Sequence, residues 1–255
     1  MEKFTINACA LTDIGYVRRQ NEDSVYIGGQ KIKIYAVCDG MGGESFGEVA
    51  SKLAVQELDA LSKNLDELDE TLPEFFERLD SAVDNYILSA NRKICDEITI
   101  RRKSMGTTLA LICTDGETAY CYNIGDSRIY LWRKNILSQI SRDHTVAEEF
   151  LRAGAITPEQ ARTHYGRNLL TQNLGLFPED TTLVPCKAPA IQLESGDRLL
   201  ICSDGLTDMC DDKQIGEIFG NISGCEEISK ALINSAKANG GADNISAVAV
   251  CIDNI

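Results

Sequence analysis

IYAVCDGMGG, residues 34–43, is the stretch around which the rest of the chain is predicted to be organised. Its apolar, β-prone first half predicts a buried strand that ends at Asp39. The glycines that follow tolerate backbone conformations closed to other residues and let a ligand approach the backbone. A carboxylate at the end of a rigid strand, beside a loop of low bulk, suits a metal ion or a phosphate. A lone Asp-Gly pair is more often an ordinary turn, so the other carboxylates decide between the two interpretations.

The composition is that of a globular protein with a sizeable core: 255 residues, 44% hydrophobic and 25% charged. We expect one domain spanning 1–255, because no repeat, linker or low-complexity segment divides it. A net charge of -14 argues against nucleic acid and anionic membranes as partners. The longest apolar stretch, 245–252, is too short to span a bilayer, so no membrane span is expected.

The cysteines and the absence of an N-terminal signal pattern predict a cytoplasmic protein. Ten cysteines are scattered without a CxxC motif, which favours free thiols in a reducing compartment over a disulfide framework. Six of them lie in strand-like runs, where cysteine packs as a small hydrophobe. With only two histidines in the chain, a Cys/His zinc site is not favoured.

The hydrophobic pattern predicts strands at both ends and in the middle, with long helices between them. One helical stripe, with a break near Asn64, is formed by Val49, Leu53, Leu58, Leu61, Leu65 and Leu68. A second helix opens at Pro73, and its stripe is Phe76, Leu79, Val83, Ile87, Ala90, Ile94 and Ile98. Shorter helices are expected over 146–153, from Thr157-Pro158, and over 211–219 and 226–239. Strands are expected over 4–11, 24–28, 31–38, 136–140, 198–202 and 244–252, with three more between 106 and 132. This order predicts an α+β fold with antiparallel sheets rather than βαβ units.

Several carboxylates stand at predicted strand ends or tight turns, most of them beside a glycine. They are Glu22, Asp23, Asp39, Asp126, Asp204, Asp208 and Asp243. Carboxylates that meet in space repel each other and raise each other's pKa, and a divalent cation removes this conflict. Because the donors are all oxygen atoms, Mg²⁺ or Mn²⁺ is favoured, and Ca²⁺ less so.

Six motifs, in order and across nearly the whole chain, resemble the metal-dependent Ser/Thr protein phosphatases of the protein phosphatase 2C family in their compact bacterial form. They are the segments VRRQNED (17–23), DGMGG (39–43), GTT (106–108), GDSR (125–128), SDGLTD (203–208) and DNIS (243–246). The resemblance implies an α-β-β-α sandwich, in which two antiparallel sheets lie face to face with helices outside. It also implies that residues 141–180 contain a mobile flap that affects substrate choice, although the stretch 145–168 is alternatively plain surface structure.

By this resemblance, two metal ions would share Asp39 as a bridging ligand. Asp204 and Asp243 would complete the first site, and the carbonyl oxygen of Gly40 would bind the second ion. No phosphoenzyme is implied, so neither the cysteines nor the serines need a nucleophilic role.

Glu22 and Asp23 match residues that hold the second ion, partly through metal-bound waters. Glu22 is alternatively only a solvated neighbour of Asp23. Arg18 stands where the family has its phosphate-binding arginine. The alternatives are that Arg18 is a surface residue or that Arg19 takes the role.

Asp126 and Asp208, with Asp204, match a third and weaker metal site of the bacterial members. Alternatively, Asp126 is a turn former and Asp208 a helix cap.

One departure from the family pattern concerns the proton donor for the leaving group. Where relatives often carry a histidine as proton donor, this chain has Met41 and Glu44. Glu44 is a candidate general acid, although an acidic residue at a helix start is the more ordinary interpretation.

The functional hypothesis is a monomeric Mn²⁺- or Mg²⁺-dependent phosphatase acting on phosphoserine and phosphothreonine of phosphorylated proteins. The resemblance implies that it opposes a cognate bacterial Ser/Thr kinase. One alternative is a pseudophosphatase that binds phosphoproteins as a regulatory module. Another is a phosphatase for a small metabolite or for one dedicated anti-sigma-type regulator.

Overall fold

The computed structural model describes residues 4–42 and 46–255, so Glu44 lies outside the described residues. Its strands are β1 (Phe4–Asp13), β2 (Asp23–Gly28), β3 (Lys33–Gly42), β4 (Met105–Thr107), β5 (Leu109–Thr114), β6 (Thr118–Ile124), β7 (Arg128–Arg133), β8 (Ile136–Gln139), β9 (Cys186–Lys187), β10 (Ile191–Gln192), β11 (Arg198–Cys202) and β12 (Ile245–Asn254). Its helices are α1 (Gly47–Asp66), α2 (Phe75–Arg101), α3 (Val146–Arg152), α4 (Pro158–Thr163), α5 (Asp204–Thr207), α6 (Asp212–Asn221) and α7 (Cys225–Ala238).

The strands form two sheets in which the neighbouring strands are antiparallel. One sheet has the order β1-β12-β11-β7-β8, and the other has the order β10-β6-β5-β3-β2. Strand β4 adds to β3, and β9 adds to β6. The α+β class with antiparallel sheets is therefore confirmed.

Three clusters of buried side chains separate four layers. The central cluster lies between the sheets and takes Tyr35 and Ile112 from one sheet and Leu199 and Val250 from the other. A second cluster packs α1 and α2 against the β3–β5–β6 sheet. The third packs α6 and α7 against the opposite sheet. This is the α-β-β-α sandwich that the resemblance implied.

The first helix differs from its prediction in continuity and in its buried face. Helix α1 runs through Asn64 without a break. At its start, Ala50 and Ala54 face the core, whereas Val49 and Leu53 are only partly buried. The predicted face was based on large apolar residues alone. At the start of α1 the small alanines face the sheet instead, and their size allows the helix to approach it closely.

The second helix begins two residues later than predicted, at Phe75 rather than Pro73. Phe75 is buried, whereas Phe76 is 46% exposed and its ring stacks on Tyr120. The remaining predicted stripe from Leu79 to Ile94 is buried as expected.

Strand β3 does not end at Asp39, as the sequence predicted, but continues to Gly42. Beyond Asp39 the strand changes partner: Val37 pairs with β5, whereas Gly40 and Gly42 pair with β4. The glycines therefore extend the strand into a second pairing instead of ending it.

The sequence did not predict α5, β9 and β10, each of four residues or fewer. Across residues 4–42 and 46–255, the helices are too short or too polar to cross a bilayer.

All ten cysteines lie in the described part of the chain and are free thiols. Most are buried, and Cys9 and Cys186 are partly buried. Because their burial excludes water, they pack as small hydrophobes, as the sequence predicted.

Candidate active site

Asp39 is held rigidly by the strand next to it. Its backbone N–H donates to Thr108 Oγ1 (2.9 Å), and its carbonyl accepts from the Thr108 N–H (2.9 Å) and from Thr107 Oγ1 (2.9 Å). Asp23 is its direct partner in the β2–β3 register. Two carboxylates placed opposite each other on a ladder repel. The hairpin thus fixes an unfavourable charge pair at the point where β3 changes its pairing partner.

Asp204 reaches the same place from the opposite sheet, as the first residue of the short helix α5. The preceding Ser203 donates its hydroxyl to Asp23 Oδ2 (2.7 Å), which joins the two sheets at the site. Gly205 allows this approach, because a Cβ there would lie 1.9 Å from the carbonyl oxygen of Asn244. The α5 turn therefore packs directly on the start of β12.

Asn244 fastens the loop that carries Arg18 and Glu22. Its side-chain Oδ1 accepts from the Glu22 N–H (2.8 Å), and its amide donates to the carbonyls of Ile14 and Gln20 (both 3.0 Å). The neighbouring Asp243 forms an ion pair with Arg18 (2.7 Å between Oδ2 and the guanidinium). One turn of the chain thus positions both a candidate metal ligand and the candidate phosphate-binding arginine.

Most of the predicted bimetal residues line one cleft of about 270 Å³. The lining includes Arg18, Glu22, Asp39, Gly40, Met41, Asp126, Asn168, Leu170, Asp204, Asp243 and Asn244. Asp23 is 7% exposed and is not part of that lining. It is the ladder partner of Asp39, and its burial places it behind the surface of the cleft. Residues predicted from five separate parts of the chain are therefore brought together.

Burial and mutual repulsion disfavour the charged forms of these carboxylates. Burial raises the pKa of Asp39 well above its ordinary value, and the charges of Asp23 and Asp204 raise it further. Burial also raises the pKa of Asp204, followed by the charges of Asp126 and Asp243. The protein alone does not compensate this excess of negative charge.

Two buried carboxylate oxygens of the predicted ligands, Asp23 Oδ1 and Asp204 Oδ1, have no hydrogen-bond partner among the described residues. Such atoms are costly unless a ligand satisfies them. As placed, no three Asp, Glu, His or Cys side chains of residues 4–42 and 46–255 already form a compact ligand set. One reason is that the Asp243 carboxylate is turned to Arg18. Oxygen donors, unpartnered buried oxygens and repelling charges together fit a hard divalent cation.

The three residues predicted for a third ion all line a neighbouring cavity, and two of them also line this cleft. Asp126 and Asp204 line both, whereas Asp208 lines only the second cavity, of about 500 Å³. Asp208 is the C-cap residue of α5. It accepts a hydrogen bond from Asn168 Nδ2 (3.3 Å) and lies 3.5 Å from the guanidinium of Arg167. The proposed third site is therefore bordered by the segment predicted to be a flap.

The predicted flap segment contains α3 and α4, each begun by a threonine cap. Thr145 accepts from the Glu148 N–H, and Thr157 forms a reciprocal capping box with Gln160. A bridge between Thr145 and Leu170 joins the start and the return of the segment, and a bridge between Leu174 and Thr107 attaches it to β4. The predicted helix starts are confirmed here, whereas the mobility of the segment stays a prediction.

Sequence reasoning assigned no role to several residues that hold the ligands in place. Thr107, Thr108 and Asn244 were part of the matched motifs, but only the structure shows what their polar atoms bind. No sequence pattern indicates a role for His144, one of the two histidines that are too few to favour a Cys/His zinc site. Its position beside Gly125 becomes visible only when β6 and the start of the flap segment meet.

Comparison with known proteins decides the family. The model of the family described as protein phosphatase 2C matches residues 18–246. The chain belongs to the protein phosphatase 2C family. The matched region includes every described candidate site residue, from Arg18 to Asp243.

Curated relatives in this family include bacterial Ser/Thr phosphatases. The chain is 38% identical to the serine/threonine protein phosphatase PstP of Mycobacterium tuberculosis over 241 residues, covering 94% of this chain. It spans only 43% of the length of that relative. It is 33% identical over 246 residues to the serine/threonine phosphatase stp of Listeria monocytogenes, covering 94% of this chain and 93% of the relative.

A solved structure supports the same assignment. It is the catalytic domain of PstP in complex with two manganese ions. It matches with a TM-score of 0.81 and 34% identity, covering 98% of this chain and all of that chain. The observed α-β-β-α fold is therefore the fold of phosphatases in this family.

Proposed function

We propose that this protein is a metal-dependent phosphoprotein phosphatase that hydrolyses phosphoserine and phosphothreonine. The observation that carries the proposal is the meeting of Arg18 with Asp39, Asp204 and Asp243 in one cleft. A phosphomonoester dianion repels nucleophiles, and its uncatalysed hydrolysis is among the slowest known reactions. The cleft offers the Arg18 guanidinium to bind the phosphate. It also offers carboxylates to bind the metal ions that this chemistry requires.

The cofactor would be two Mn²⁺ or Mg²⁺ ions, in keeping with the manganese-bound relative. Asp39 would bridge them, with Asp204 and Asp243 on one ion and the Gly40 carbonyl on the other. Asp23, and Glu22 at the edge of the cleft, would hold the second ion partly through water. When bound, such ions would lower the pKa of a bound water toward neutrality and so supply the nucleophile. Asp126, Asp204 and Asp208 would bind a third ion.

Arg18 would bind and orient the phosphoryl group. Its guanidinium is half exposed at the cleft and gives one nitrogen to Asp243 Oδ2, so other donors of the fork remain for phosphate oxygens. Lysine could not reproduce that planar geometry. The proton donor for the leaving alkoxide is not assigned, since Glu44 lies outside the described residues and Met41 cannot donate.

The substrates, the partner kinase, the cellular location and the oligomeric state are proposed from the family and the composition. A phosphoprotein phosphatase implies phosphorylated proteins as substrates, and a cognate Ser/Thr kinase would produce them. Ten free thiols suit a reducing cytoplasm. A single-domain monomer is the simplest arrangement, because this one chain supplies every proposed ligand.

Mn²⁺-dependent release of phosphate from a phosphothreonine peptide tests the proposal. We expect Asp39→Asn to lower turnover by on the order of a thousandfold or more, because the bridging ligand loses its charge. Asp253→Asn, at an exposed position of β12, is the matched control and should retain wild-type turnover. Persistent activity of Asp39→Asn would refute the bimetal mechanism.

The alternatives give different results in the same assay. A pseudophosphatase would bind the phosphopeptide without releasing phosphate at any Mn²⁺ concentration. A metabolite phosphatase would release phosphate from small phosphomonoesters and leave the phosphopeptides intact. A panel that contains both substrate classes therefore distinguishes the three hypotheses.

A further inference from the structure

His144 is a buried histidine, 8% exposed, between β8 and α3. Two hydrogen bonds join it to Gly125, one in which His144 accepts and one in which it donates. The Gly125 N–H donates to the His144 Nδ1 (3.1 Å), and the His144 N–H donates to the Gly125 carbonyl (2.9 Å). The residue after Gly125 is Asp126, the candidate ligand that lines both clefts.

The hydrogen bond defines the chemical state of the imidazole. An Nδ1 that accepts cannot carry a proton, so the side chain is neutral with its proton on Nε2. Burial lowers the pKa of His144, and the charge of Arg142 lowers it further. Both effects favour the neutral form that the geometry requires.

On its other side, His144 anchors the flap segment. Its carbonyl accepts from the Thr171 N–H (2.8 Å), at the point where the segment returns. The next residue, Thr145, bridges to Leu170 and caps α3. The start and the return of the segment are therefore bonded to each other through residues 144–146 and 169–171.

The opposite flank of Asp126 has an independent anchor. Ser127 Oγ lies 2.7 Å from Thr108 Oγ1, which also accepts the N–H of Asp39. Gly125 has a φ of +95°, so the turn cannot easily accept another residue in its place. Asp126 is thus held between Thr108, on the Asp39 side, and His144, on the flap side.

We propose that His144 is a positioning residue that couples the Asp126 turn to the base of the flap segment. It has no contact with substrate in this role. It acts by fixing Gly125, and a displacement of the flap base moves the Asp126 carboxylate through the same two bonds. The inference rests on the proposed function, because it assigns Asp126 to a cation.

The experiment compares two substitutions that differ in one hydrogen bond. His144→Asn places an amide oxygen close to the position of Nδ1 and keeps an acceptor for the Gly125 N–H. His144→Gln places its polar group farther out and loses that acceptor. His164→Gln is the control, because His164 Nδ1 also accepts a backbone N–H, that of Gly166, but within the flap segment.

Binding of Mn²⁺ is measured by titration calorimetry, together with kcat and KM on a phosphothreonine peptide and on p-nitrophenyl phosphate. We expect His144→Gln to weaken the weakest class of Mn²⁺ sites about five- to tenfold, which corresponds to one lost hydrogen bond. The tighter class should change less than twofold. Because the flap base is disturbed, KM should rise for the peptide and stay constant for p-nitrophenyl phosphate. His144→Asn and His164→Gln should match the wild type.

Equal weakening in His144→Gln and His144→Asn, or an equal loss at both classes of site, overturns the coupling. A wild-type protein with no weak class of Mn²⁺ site overturns it as well. A wild-type protein that binds Mn²⁺ but releases no phosphate refutes the proposed function, and the calorimetric comparison still decides the role of His144. Nitrogen NMR of the wild type gives a test that needs no variant: a proton on Nδ1 of His144 contradicts the proposal.

Discussion

Asp126→Asn should stabilise the cation-free protein at neutral pH. Burial raises the pKa of the Asp126 carboxyl to about 7, the charge of Asp143 raises it further, and Arg128 opposes the shift. In the unfolded chain the pKa has its ordinary value of 3.8. Between these two values the native state binds a proton that the unfolded state has lost, so the free energy of unfolding falls as the pH rises.

The structure sets the size of this effect. A change from 3.8 to about 7 corresponds to about 4 kcal/mol once the pH is above both values. Because Asp126 lines two open clefts, solvent and salt screen part of this penalty. We therefore expect Asp126→Asn to raise the free energy of unfolding by about 1–3 kcal/mol at pH 8 and by close to zero at pH 4.

Urea denaturation at pH 4, 6 and 8, with a chelator present, measures the difference between variant and wild type. The chelator is needed because a cation bound only to the native state would add its own stabilisation. Asp253→Asn, at an exposed position, should show no such pH dependence. If Asp126→Asn is destabilised by the same amount at all three pH values, the carboxylate is not a source of strain and the reasoning is wrong.

Two further predictions concern residues of the cleft. Thr108→Val leaves the Asp39 N–H and the Ser127 hydroxyl without their buried partner. The free energy of unfolding, measured by urea denaturation, should therefore fall by about 2–4 kcal/mol. The exposed Thr5→Val should stay within about 0.5 kcal/mol of wild type, and an equal loss there would contradict the argument. Arg18→Lys should raise KM for a phosphopeptide about tenfold or more, because the bidentate fork is lost. An unchanged KM in steady-state kinetics would exclude Arg18 as the phosphate ligand.

Sequence patterns predicted the elements with strong periodicity or a continuous apolar run. The stripe of α2 follows from spacing, because large apolar residues recur at intervals that a helix places on one face. The strand over IYAVC follows from its unbroken apolar, β-prone composition. The end of β3 could not be predicted in this way. Whether Asp39-Gly40 ends a strand or changes its partner depends on β4, more than sixty residues away.

For the site, the motif resemblance selected ligands that the structure brings to one cleft, apart from Asp23 behind it and Asp208 in the next. It could not provide the contacts between motifs. The roles of Asn244, Thr108 and His144 are defined by hydrogen bonds to residues far away in the sequence, and no local pattern distinguishes such a side chain from a solvated one. The metal-binding role of each carboxylate stays a prediction.

Strand β12 lies between β1 and β11, and its pairing with β1 joins Phe4 to Asn254, almost the whole length of the chain. During synthesis, β1 must therefore wait unpaired until β12 has left the ribosome. Asp243 and Asn244, which immediately precede β12, are fixed in the same late event. Such long-range pairing is slow and leaves a strand edge exposed while the chain grows. The cleft can therefore be completed only after residues 243–254 have been made.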